Sequence, residues 1–146
     1  MSLCRLVLLG LLIGCSAVHA QQPAPPGMSL SEAASRRFPQ PVRVGDLLKR
    51  QVLQPRESQP TLGRVRNVVQ QTDGTVDVVV DYGGLFGLLA RPIAVPADAM
   101  VLLGQYMEIV DFTPAQLQQF KTFDGAGTTP LSPDSIIRVG LARPSH

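Results

Sequence analysis

The sequence predicts a mainly β protein, a small barrel of about five or six antiparallel strands with one short helix near its C-terminal end. Three observations carry this reading. Two valine-rich runs, Gly63 to Gln70 and Thr75 to Tyr82, flank Gln71-Thr72-Asp73-Gly74, whose glycine can take the positive φ that closes a hairpin. A glycine-rich apolar stretch, Gly83 to Leu89, turns the chain into a third run, Arg91 to Val95, which Pro96 stops. Apolar side chains recur with a period near two along these runs, as half-buried strands require.

The chain opens with a short head carrying Arg5, an apolar run from Leu6 to Ile13 and a small-residue region ending Val18-His19-Ala20, the form of a secretory signal peptide. The apolar run is far shorter than the roughly 20 residues a membrane span needs. Two cleavage readings stand side by side. Val18-His19-Ala20 suits the general signal peptidase, whereas Leu12-Ile13-Gly14-Cys15 has the form of a lipoprotein box, in which Cys15 would become the acylated first residue. The leader is thus 1–20, or 1–14 in the second reading. Export to the periplasm or beyond is expected in both, with attachment to a membrane only if Cys15 is lipidated.

Cys4 lies in the leader and Cys15 is either removed or acylated, so the mature chain is expected to hold no disulfide and to depend on a buried core. About 126 of the 146 residues remain after Ala20, enough for one ordinary domain with tails. Losing Arg5 lowers the formal charge from +2 to +1. Nucleic-acid binding calls for clustered cations with stacking aromatics, while here the arginines are scattered and Trp is absent. The doublets Arg36-Arg37 and Lys49-Arg50 read as solvated surface.

Residues 21–41 form a proline-rich spacer, within which Ser29-Leu30-Ser31-Glu32 fits a capping box for a short helix reaching about Phe38. Val42 to Val44 and Gln51 to Leu53 are short extended candidates around Gly45 to Leu48, and Arg56 to Pro60 is a loop. If Gln70 faces Thr75 across the hairpin, Val65 faces Val80, Arg66 faces Val79 and Arg64 faces Asp81. This places Val65, Val69, Val76, Val78 and Val80 on one face with Asn67, and Arg64, Arg66, Asp77 and Asp81 on the other. After a turn at Pro96 to Met100, Gln105 to Val110 makes a further strand, with Met107 and Ile109 on one side and Tyr106, Glu108 and Val110 on the other. Thr113 as N-cap, Pro114 at the first helical position and Gln116 two residues later predict a helix burying Leu117, Phe120 and Phe123. The tail, 125–146, contains a linker-like GAGTTP stretch and the apolar run Ile136 to Val139, either a last strand or a docked arm.

Gly63-Arg64-Val65-Arg66-Asn67-Val68-Val69, Asp73-Gly74, Val78-Val79-Val80-Asp81, Gly83-Gly84 and Arg91-Pro92-Ile93-Ala94-Val95-Pro96 together resemble the PRC-barrel family over about Val44 to Phe123. The resemblance implies a PRC-type β-barrel domain over 42–124, non-catalytic and used to hold or assemble other macromolecules. Family members occur in the H subunit of photosynthetic reaction centres and in a ribosome maturation factor, and a signal peptide fits neither of those roles.

An enzyme is not expected. His19 falls in the leader and His146 ends the chain, which with the loss of cysteine removes the usual nucleophile-base arrangements and zinc ligand sets. Asp77 and Asp81 could serve as an acid-base pair only if one were desolvated beside a reacting group; on a charged face they read as an exposed ladder. No cofactor, metal or catalytic residue is therefore assigned. Gly83 to Leu89 lacks phosphate-loop spacing and either folds its large side chains over an open end of the barrel or presents an apolar lip to a protein partner. In the second case Leu85, Phe86, Leu88 and Leu89 are the candidate interaction surface. Asn67 is the lone polar candidate for a ligand cavity inside the barrel.

Overall fold

The computed structural model describes residues 27–54, 61–84 and 88–142; the leader with Cys15, the Arg56 to Pro60 loop, Leu85 and Phe86 lie outside them. The chain is mainly β. Along it come α1 (Leu30–Ser35), β1 (Gln40–Arg43), α2 (Val44–Leu47), β2 (Gln51–Leu53), β3 (Thr61–Gln71), β4 (Val76–Tyr82) and β5 (Arg91–Pro96). A 3₁₀ turn (Ala97–Ala99) then leads to β6 (Met100–Leu103), β7 (Tyr106–Ile109), α3 (Pro114–Gln118), β8 (Thr128–Pro130) and β9 (Ile136–Leu141).

In place of five or six antiparallel strands the described residues form nine, in one mixed sheet ordered β1-β9-β6-β7-β2-β3-β4-β5, with β8 beside β3. Pairing of β2 with β7 and of β6 with β9 is parallel. Among the described residues no pairing joins β1 to β5, so the sheet is open. The segment expected to be a tail supplies two strands of it. β9 lies between β1 and β6, and Thr128 to Pro130, within the supposed linker, pairs with β3.

The central hairpin follows the expected register only at its open end. Arg64 faces Asp81 and Val65 faces Val80, but a bulge at Arg66 then shifts the ladder, so that Asn67 faces Val79 and Val69 faces Asp77. One extra residue on β3 exchanges the faces beyond it. The main core accordingly takes Val65 and Val68, with Val78 and Val80 opposite, while Val69 and Val79 are buried outside that cluster and Asn67 leaves the core-facing row. Gly63 is required by packing, because a Cβ there would lie 1.8 Å from the Asp81 carbonyl oxygen.

The core is completed by Leu47, Ile93, Met107, Ile109 and Leu117, all fully buried, each contributing roughly 1.5–3 kcal/mol. α3 forms as its local sequence dictates. The Thr113 hydroxyl accepts from the Gln116 N–H, the Gln116 side chain accepts from the Thr113 N–H, and Pro114 occupies the first turn, where its missing N–H costs nothing. Phe120 meets Phe112 edge to face at 5.0 Å between centroids. At the other end of the chain, Ser29 caps α1 by accepting from the Glu32 N–H. That helix stops at Ser35 instead of reaching Phe38, which is exposed with φ 50°. β1, at the rim, carries Pro41 in mid-strand.

Candidate functional site

Gly83 and Gly84 both adopt left-handed φ values, +73° and +82°, at the exit from β4. The Gly83 N–H donates to the Leu62 carbonyl at 2.9 Å. A Cβ on Gly84 would lie 2.4 Å from the Leu88 carbonyl oxygen and 2.8 Å from the Ala90 nitrogen, so the two limbs of the loop touch through backbone. Beyond this neck, Leu88 and Leu89 are 70% and 96% exposed. They stand in solvent, as the second of the two readings of this loop has it for these two side chains, while Leu85 and Phe86 lie outside the described residues. Leu89 also has φ 62°, a conformation that costs an L-residue about 1–2 kcal/mol.

The base of this loop is anchored at Arg91. Its guanidinium donates to the Phe120 carbonyl at 2.6 Å and to the Leu117 and Gln118 carbonyls at 3.2 and 3.0 Å, at the C-terminal end of α3 where backbone carbonyls run out of helical partners. The same group lies over the Tyr82 ring, 5.5 Å from its centroid.

Asp77 and Asp81 do not converge. Four residues apart on one face of β4, they are separated by about 13 Å at the strand rise of ~3.3 Å per residue. They also differ in environment, which corrects the exposed ladder expected for both. Asp81 is half-buried and ion-paired to Arg66 Nε at 2.7 Å, the bulge having brought Arg66 to it in addition to its register partner Arg64. Asp77 is only 7% exposed and accepts from Gln71 Nε2 at 2.5 Å. Burial pushes its carboxyl above the usual range, the Gln71 bond partly offsets this, and Asp73 adds a smaller upward push. Asn67 keeps a buried side-chain oxygen that accepts no hydrogen bond among the described residues.

A recess lies between α1 and the outer side of β6 and β7. It is a solvent-open groove of about 340 Å³, walled by Ala33, Arg36 and Arg37 and floored by Val101, Glu108 and Val110. Arg37 fixes the wall. Its two terminal nitrogens grip the Asp111 carboxylate at 2.6 and 2.5 Å, and one also donates to the Asp98 carbonyl at 3.1 Å. Both side chains are mostly shielded, so this arginine is structural and not the solvated charge expected of the doublet. Arg50 is likewise tied down, to the Asp46 and Gly104 carbonyls. The groove was missed because its parts are distant in sequence and none belongs to a motif.

Among the described residues no group of three His, Cys, Asp or Glu side chains could hold a metal, and no helix is long and apolar enough to cross a membrane. The chain matches no family model, and no curated protein matches it.

Proposed function

We propose that this protein is an exported PRC-type β domain that acts as a non-catalytic protein-interaction or assembly module in the bacterial cell envelope, and that it engages its protein partner through the Gly83 to Leu89 loop. The observation that carries this reading is the pair Leu88 and Leu89, held in solvent on a loop with a closed neck and an anchored base. Apolar side chains exposed to solvent in this way are a common mark of an interaction site. The family resemblance of residues 44–123 and the form of the leader support the assignment to a holding role outside the cytoplasm. Attachment to a membrane follows only if Cys15 is acylated. A mass measurement giving Gln21 as a free N-terminus excludes the tether.

The test is a photoreactive residue placed at Leu89, with a control at Thr72 in the turn at the far end of the hairpin. Expected is one dominant crosslinked partner from position 89 and none shared with position 72. Adding Leu88→Ser to the protein carrying the photoreactive residue at position 89 should sharply reduce capture at unchanged stability. Equal labelling from both positions would sink the assignment of the loop.

A further inference from the structure

The groove beneath α1 supports a second inference, independent of the loop. Across the outer side of the sheet, Glu108 of β7 is flanked by Val101 of β6 and Leu53 of β2, its register partners, and both of these are buried. A carboxylate therefore rises from an apolar floor. The arginines in the wall are already engaged, Arg36 with Glu32 at 3.3 Å and Arg37 with Asp111. Among the described residues the Glu108 carboxylate makes no hydrogen bond and no ion pair. Burial alone pushes its carboxyl above the ordinary range, with no neighbouring charge opposing the shift. With the other charges of the groove paired, one negative charge remains uncompensated beside apolar surface. Partial removal of a carboxylate from water without a partner is unfavourable, and a cation seated there would recover the loss. The volume of about 340 Å³ matches the smaller end of small-molecule pockets.

We propose that this groove binds a small molecule that joins a protonated amine to an apolar body, with the amine on Glu108 and the body against Val101, Val110 and Ala33. Charge selects the head, and the apolar walls select the tail.

The experiment is an amide-resolved NMR titration of the purified protein with n-hexylamine, using n-hexanol as the uncharged match. Expected are saturable shifts at Ala33, Val101 and Val110, with hexylamine bound at least about tenfold more tightly than hexanol. Glu108→Gln should erase that preference while the protein stays folded, because the change removes a charge from an apolar setting. Ala33→Trp, which fills the groove from a short surface helix, should block both probes and serves as the second variant. Equal affinity for the two probes, an unchanged preference in E108Q, or shifts confined to other parts of the sheet would each overturn the proposal. An absence of shifts at all three amides would do the same.

Discussion

Replacing Arg37 by Met tests how far the Arg37–Asp111 ion pair holds α1 on the sheet. The helix has six residues, none buried, and isolated helices of that length are unstable in water. Leu30 packs against the main core, and the helix is further attached by the Arg37 guanidinium, with bonds to both Asp111 oxygens and the Asp98 carbonyl, and by the Leu141 N–H donating to the Arg37 carbonyl at 2.8 Å. An exposed pair would be worth about 0.2–1 kcal/mol, whereas breaking a fully buried one costs about 3–5 kcal/mol. With side chains 19% and 10% exposed, this pair falls nearer the buried limit. R37M should therefore destabilise the protein by about 2–3 kcal/mol, because Asp111 is left charged and shielded. Asp111→Asn in the R37M background should restore part of that loss, giving a coupling energy of about 1–2 kcal/mol in a double-mutant cycle. Urea unfolding at neutral pH measures all four proteins, and hydrogen exchange should show α1 losing protection before the sheet does. A loss below about 1 kcal/mol for R37M, or strict additivity of the two changes, would refute the reasoning.

Asp77→Asn should stabilise the protein at neutral pH. The folded carboxyl titrates above its ordinary value of 3.8, so its contribution is fully favourable below that value and is lost as pH rises through the folded pKa. Asn cannot ionise yet still accepts from Gln71, so the urea midpoint of D77N should exceed the parent's at pH 7 and converge with it towards acid; a D77N protein weaker at pH 7 refutes this. Leu89→Gly relieves an unfavourable φ at an exposed site. After allowance for the looser unfolded chain, it should raise stability by about 0.5 kcal/mol, and a clear fall in the urea midpoint would contradict that account.

Local chemistry was legible in the sequence, and distant pairing was not. The Thr113-Pro114-Gln116 cap and the Asp73-Gly74 turn are each complete within a few residues, so they appear where expected. The register Arg64–Asp81 and Val65–Val80 follows from charge and valine alternation, but that alternation also concealed the bulge. Val65-Arg66-Asn67-Val68-Val69 places two polar residues between valines, a break in the period of two that marks an inserted residue only after the partner strand is known. Parallel pairing of β2 with β7 and of β6 with β9 leaves no turn signature, so Ile136 to Val139 read equally well as an arm or a strand. As for the candidate sites, the exposure of Leu88 and Leu89 was one of two open readings. The wall of the groove depends on Arg37 meeting Asp111, 74 residues away, for which no local pattern exists.

β1 ends the sheet on one side, and its bonding phase determines what that rim offers. The Val44 N–H donates inward to the Ser135 carbonyl, so, by alternation, the backbone positions facing outward on β1 are Pro41 and Arg43. Proline has no N–H, and the Pro39 carbonyl just before the strand already accepts from Arg138. A strand arriving from another molecule would find almost no donors to zip onto. On the opposite rim, the Phe123 N–H occupies the Pro92 carbonyl of β5 at 2.7 Å. The sheet thus has poor templates for its own extension on either side, so copies crowded together gain little by stacking edge to edge. Association has to proceed through side chains and loops, which can be specific where a bare backbone edge cannot.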